Sequence, residues 1–157
     1  MGKSGNNVRF RGRFDVKVDS RGRIRISSRF LNIFEEGHGK EIYITSLNGD
    51  HALIYPLTEW ENIEQKLENV KMNPLIQEYI SRTSFWGLES EVDARGRVLL
   101  PKNLRVAARL EDAIFILGAR DHLEVWNNEL YNERFLKGEW NIEKQAEISR
   151  IIHESRT

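Results

Sequence analysis

The nine residues "VDSRGRIRI" at positions 18–26 return as "VDARGRVLL" at positions 92–100, 74 residues later. The same shift sets Phe30 on Leu104, a shift of 72 sets "IYI" (42–44) on "IFI" (114–116), and a shift of 71 sets "DHALIYP" (50–56) on "DHLEVWN" (121–127). The small drift in offset is what loop-length changes between two copies of one unit leave behind. At 157 residues the chain has too little material to give each copy a generous core of its own. The copies are therefore expected to fold on each other, related by an approximate two-fold axis. The expected organisation is a first repeat over 8–60, a helical linker over 61–84, a second repeat over 85–131 and a helical tail over 132–157.

Each copy reads as hairpin, short helix, hairpin, helix. In the first, Val8, Phe10, Phe14, Val16 and Val18 alternate with Arg9, Arg11, Arg13, Asp15, Lys17 and Asp19, the period of two that marks a half-buried strand. "DSRG" turns the chain, with Gly22 free to take a positive φ, and the return strand puts Ile24 and Ile26 inward and Arg23 and Arg25 outward. Ser28 is the expected cap of the following helix, and Gly37 its end. "EIYITSLNGDHALIYP" reads as strand, turn, strand. Thr58 with Glu61 has the spacing of a capping box, opening a helix whose face carries Trp60, Ile63, Leu67 and Val70. Beyond "KMNPL", a further helix with Leu75, Ile76, Tyr79 and Ile80 leads to the second copy.

Charge narrows the function. The chain is neutral overall, but residues 1–30 hold nine Lys or Arg against two Asp, a net of +7, and residues 31–80 hold nine acids against three Lys, a net of −6. Such segregation can build one basic face on a neutral protein. Cysteine is absent, which excludes disulfides, thiolate chemistry and cysteine-bound zinc. His51 and His122 fall just after turns at matching positions, where a turn role is expected. With His38 and His153 they complete no metal-ligand spacing, and no catalytic residue, metal or cofactor is expected. Asp19 and Asp93 each have an arginine nearby that keeps the carboxylate ionised and ill suited to general acid work. No apolar run approaches the roughly 18 residues of a membrane span, and the polar start "MGKSGNNVRF" is unlike a secretory signal, so a cytoplasmic location is expected.

The segments "FRGRF", "DSRGR" (19–23), "DARGR" (93–97) and "LIYPLTEWENIEQKLENVKMNP" (53–74), in that order, resemble the MraZ family of bacterial transcriptional regulators. The resemblance implies an α+β fold: a duplicated AbrB-like swapped-hairpin β-barrel with pseudo-two-fold symmetry and peripheral helices. It also implies a nucleoid-associated, ring-shaped homo-oligomer that binds repeated elements in double-stranded DNA upstream of the division and cell wall gene cluster, with no small-molecule substrate and no membrane. The family's Asp-x-x-x-Arg pattern maps onto Asp19 with Arg23 and onto Asp93 with Arg97. The proline common after the motif is kept at Pro101 but is Ser27 in the first copy, and the stretch from about 132 onward carries no motif.

The expected DNA-binding residues are Arg11, Arg13, Arg21, Arg23, Arg25, Arg95 and Arg97, with Asp19, Gly22, Asp93 and Gly96 as the structural motif. Arginine suits bidentate contact with phosphates or guanine edges, and a two-stranded ribbon is narrow enough for the major groove. Gly22 is expected to bring the turn's backbone close to a phosphate, and Asp19 to hold Arg21 or Arg23 in one rotamer. The second copy's equivalent outward positions are Glu89, Glu91, Asp93, Arg97 and Leu99, acidic on the strand that is basic as a whole in the first copy, so the first hairpin is expected to dominate binding. The alternative is a protein-interaction module, antitoxin-like, whose acidic helices bind a partner without specific DNA recognition.

Overall fold

The structure, a computed structural model, describes residues 9–155; Val8 lies outside them. Eight strands form a six-stranded antiparallel sheet and a separate two-stranded ribbon. The sheet runs β1 (Phe10–Val16), β7 (Ile114–Arg120), β8 (Leu123–Asn127), β4 (Ala52–Pro56), β3 (Glu41–Thr45), β5 (Leu88–Glu91). The ribbon is β2 (Arg23–Arg25) with β6 (Arg97–Leu99).

The strand order is its own mirror under exchange of the repeats. Swapping β1 with β5, β3 with β7 and β4 with β8 turns the order into its reverse. At the centre of the sheet Leu53 faces Glu124, and at the centre of the ribbon Ile24 faces Val98. Each is a residue meeting its own counterpart, so both pairs lie on the pseudo-two-fold axis.

The expected first hairpin is not a hairpin. The turn itself closes, with Asp19 N donating to Arg23 O at 2.9 Å and Gly22 N to Asp19 O at 3.0 Å, but the two strands then part. β1 pairs over its full length with β7, from Phe10 opposite Arg120 to Val16 opposite Ile114, and β5 pairs with β3. Each repeat's first strand is thus hosted by the other repeat. A seven-residue strand satisfies more of its backbone groups against seven-residue β7 than it could against β2, which is three residues long. Alternation told the inward face correctly: Phe10, Ile24 and Ile26 are buried and Arg11, Arg13 and Lys17 are exposed.

One core cluster unites the halves, joining Phe10 of β1, Ile24 of β2, Ile42 and Ile44 of β3, Val98 of β6 and Ile116 of β7. Phe10 and Phe14 meet the Phe30 ring edge-on at 5.5 and 5.0 Å. Phe30 belongs to helix α1 (Ser28–Gly37). The cap of α1 is Ser27, not Ser28, accepting from Phe30 N. Its counterpart Pro101 starts α4 (Lys102–Ala107) from nearly the same backbone, φ −58° and ψ 140° against φ −63° and ψ 154°, so the departure at Ser27 leaves the helix start intact.

The far face of β3 and β4 is covered by α2 (Leu57–Glu68), where Trp60 packs against Leu53, Tyr55 and Tyr43. Strand β4 is consequently buried on both sides, as its unbroken "ALIYP" suits. Helix α2 starts at Pro56, and no capping box forms: Thr58 is inside the helix and its Oγ1 lies 2.7 Å from His38 Nδ1. Val70 falls beyond the end of α2 and is exposed. Asn73 caps α3 (Pro74–Phe85). After β8 come a short α5 (Asn128–Tyr131), a π-helical turn (Asn132–Leu136) and α6 (Ile142–Glu154).

Candidate nucleic-acid interface

The local sequence builds both motif turns alike. Asp19 Oδ1 accepts from the backbone amides of Arg21 and Arg23, each at 2.9 Å, while Oδ2 accepts from Arg23 Nε at 3.0 Å. Asp93 repeats this with Arg95 N at 2.9 Å, Arg97 N at 2.8 Å and Arg97 Nε at 3.1 Å. The amides of Arg23 and Arg97 are the leading cause that holds the Asp19 and Asp93 carboxyls below the usual carboxylate range, with the neighbouring amides and guanidinium groups adding to it against partial burial. Each guanidinium spends Nε on its aspartate and so presents its two terminal nitrogens as a fixed fork.

The turns interlock through the ribbon. Ile26 N donates to Gly96 O at 2.8 Å, and Leu100 N to Gly22 O at 2.9 Å, so each turn is tied to the strand leading away from the other. Gly22 and Gly96, at φ +85° and +77°, hold the left-handed conformation these turns need. Arg23 opposes Leu99, and Arg25 opposes Arg97. Ile24 and Val98 face the core. The outward face of the ribbon therefore carries Arg23, Arg25, Arg97 and Leu99, flanked by the exposed turn residues Arg21 and Arg95. Arg25 also donates Nη1 to Arg95 O at 2.9 Å. Its counterpart Leu99 cannot return that bond, which is the first break in the symmetry.

The structure thus brings Arg21, Arg23, Arg25, Arg95 and Arg97 together on one surface, rather than on two separate hairpins. Arg11 and Arg13 are placed elsewhere, on β1 in the large sheet. Arg13 is committed there: it pairs with Asp15 at 2.8 Å, donates to Asn128 Oδ1 at 3.3 Å and lies 4.6 Å over the Phe115 ring. Glu89 and Glu91 lie on β5, in the large sheet and not in the ribbon.

The backbone of the first turn is not open to a phosphate in the way its sequence suggests. The amides of Arg21, Gly22 and Arg23 all donate to Asp19, and Gly22 is buried. A Cβ on Gly22 would stand 2.8 Å from Arg105 Cζ, so the glycine is needed for the close approach of a guanidinium from α4. In the second turn the same place over Gly96 is taken by Leu31. Arg105 lies outside every motif, and the sequence signal for it is the alignment at a shift of 74, which sets it on Leu31.

The histidines make reciprocal stacks across the centre of the sheet. His51 lies on Trp126 with ring centres 4.0 Å apart, and His122 on Tyr55 at 4.5 Å. Burial opposes charge on His122, yet its bonds to Glu124 and Asp121 outweigh that and raise its pKa above the ordinary value.

Comparison with known proteins matches residues 9–77 and 88–151 to a family described as "MraZ protein, putative antitoxin-like". A "Transcriptional regulator MraZ" of Acidobacterium capsulatum is 39% identical over 125 residues, covering 79% of this chain and 86% of the relative. A protein of the same name from Koribacter versatilis is 30% identical over 142 residues, covering 89% and 97%. Another from Haemophilus influenzae is 36% identical over 121 residues, covering 76% and 80%.

Proposed function

This chain belongs to the MraZ family, and on that premise we propose that it is a sequence-specific, DNA-binding transcriptional regulator that works without enzymatic activity. The β2–β6 ribbon enters the major groove of repeated promoter elements of the division and cell wall gene cluster. The protein acts as a ring-shaped homo-oligomer on the nucleoid in the cytoplasm. The exchange of first strands between repeats supports reading the fold as an AbrB-like swapped-hairpin barrel.

One observation carries the reading: three outward arginines of one ribbon, Arg23, Arg25 and Arg97, two of them fixed by carboxylates. A guanidinium whose orientation is set before binding loses less entropy on contact and fits guanine O6 and N7 or a phosphate in bidentate fashion. Each strand of the ribbon is three residues long, which at about 3.4 Å per residue spans only some 10 Å, or roughly three base pairs. So short a reading head gives little specificity alone. Several heads held in one assembly against repeated sites gain it through effective concentration.

The test is fluorescence anisotropy of the protein's own upstream duplex against a scrambled one, over a salt series, for the parent, Arg23→Ala and Arg97→Ala. The expected result is specific, salt-steep binding that each substitution weakens by about tenfold or more. Equal, weak binding to both duplexes would overturn the reading in favour of a protein-interaction module.

A further inference from the structure

We propose that Arg105 is an additional DNA contact, directed at a backbone phosphate beside the first motif turn, where it supplies a cation that the second turn receives from Arg25 instead. This rests on the DNA-binding reading above and names a residue outside the motifs that serves the same surface.

The argument begins with the reciprocal packing of the repeats. Leu31 of α1 lies over Gly96, and Arg105 of α4 lies over Gly22. The two positions are counterparts at the same shift of 74 that relates the motifs, so each turn is backed by a side chain from the other repeat. In the second turn the backing is an aliphatic group, which serves packing and nothing more. In the first it is a cation whose Cζ, Nε and Nη2 would all lie within 2.9 Å of a Cβ on Gly22.

Packing alone does not account for a guanidinium in that place. Arg105 Nε is buried without a hydrogen-bond partner. Among the described residues no carboxylate forms a salt bridge with Arg105. The nearest motif acid, Asp19, already accepts from two amides and from Arg23 Nε. A leucine would fill the site without leaving a donor unsatisfied, as Leu31 does opposite. The cation instead stands beside a turn that also carries Arg21 and Arg23, where the one motif carboxylate, Asp19, is already paired with Arg23. What relieves such an arrangement is an anion from outside, and Arg105 retains partial exposure through which one can reach it.

The ligand on the other side of this surface supplies that anion. A ribbon in the major groove has phosphates along both walls of the groove. The first turn cannot hold a phosphate with its own amides, because Asp19 takes them. Arg105 supplies the missing donor at the end of the ribbon where Arg21 and Arg23 also stand. The second turn is backed by Leu31, and the third cation at its end of the ribbon is Arg25, which opposes Arg97 and donates to Arg95 O, whereas the first end has Leu99 opposite Arg23. Arg105 thus gives the first end of the ribbon the cation that Leu99 withholds there and that Arg25 supplies at the second.

The pseudo-symmetry provides the control. Arg105→Leu installs what the other repeat already carries at the counterpart position, and Leu31→Arg installs the converse. Binding to the upstream and scrambled duplexes is measured by anisotropy over a salt series, with urea unfolding in parallel. Arg105→Leu is expected to weaken binding to both duplexes by about threefold to tenfold and to reduce the slope of log affinity against log salt by about 1. Arg105→Lys restores most of that slope, and Leu31→Arg increases it by about 1. Loss of affinity with an unchanged slope would assign Arg105 to packing and overturn the proposal. So would parental binding by Arg105→Leu while Arg23→Ala is impaired, and in that case the DNA-binding reading survives. Parental binding by both variants would instead defeat the reading on which the proposal rests.

Discussion

Ile24→Ala tests whether the arginine ribbon is a layer of the core or a flap on its surface. Ile24 is 1% exposed and faces Val98, which is fully buried. The substitution removes three carbons, about 2.4 kcal/mol at ~0.8 kcal/mol per buried methylene, and the cavity it leaves raises the cost to about 3–4 kcal/mol. Against a total of roughly 5–15 kcal/mol that is a large share. For a chain of this size it lowers Tm by about 6–16 °C. Ile24→Val, which removes one methylene, costs about 1 kcal/mol. Urea unfolding followed by tryptophan fluorescence measures both, at one fixed protein concentration because association makes stability concentration-dependent. The outer face of the strand behaves in the opposite way. Arg23→Ala gives up one part-exposed ion pair and costs at most about 1 kcal/mol but loses DNA affinity, whereas Ile24→Val keeps affinity within about twofold at temperatures where it is folded. An Ile24→Ala chain as stable as the parent would refute the view that the ribbon is braced on the shared core.

Three further outcomes follow from the packing. Ser27→Ala loses the cap to Phe30 N and costs about 1 kcal/mol, whereas Ser27→Pro is nearly neutral in the same unfolding assay, since Pro101 occupies that backbone in the other repeat. The folded-state pKa of His122 is raised above 6.5, so the stability its charged form contributes is complete below that pH and fades as pH rises through the folded value. Unfolding free energy should therefore fall as pH rises above 6.5, and His122→Gln should flatten that decline; a flat parental profile would contradict the assignment. Phe135 is largely exposed but meets Trp126 at 5.8 Å and Tyr131 at 4.8 Å. Phe135→Ala should cost about 1 kcal/mol and speed amide exchange in 132–136, where Arg134 also pairs with Asp50.

The sequence told which face each strand buries, and not which strand it joins. Alternation at Phe10, Arg11, Arg13 and Phe14 is a local property of a pleated chain, whereas the choice of β7 over β2 depends on ladder lengths more than 90 residues apart. The Asp-x-x-x-Arg spacing revealed the clamp on Arg23 and Arg97, because four residues and a glycine suffice to build it. It could not reveal that both clamps share one ribbon, which follows only from the pairing of β2 with β6. Cap positions slipped for chemical reasons. Ser27 and Ser28 are equally good caps on paper, and Pro56 took the start of α2 from Thr58. Arg105 was hidden because its significance lies in Gly22, a residue of the other repeat. Arg13, basic and outward by parity, was spent on Asp15 and Asn128.

Because each repeat lends its first strand to the other, a single repeat has no sheet to finish by itself. The product of one copy could complete the same ladders only by finding a second molecule, as an exchanged dimer. This chain is that dimer joined end to end, with its partner's concentration fixed at all dilutions by the stretch of chain that joins the two copies. A true homodimer cannot place Arg105 on one side and Leu31 on the other, since any change would appear twice. Joined in one polypeptide, the halves are free to diverge, and a palindromic scaffold can carry a polarised face.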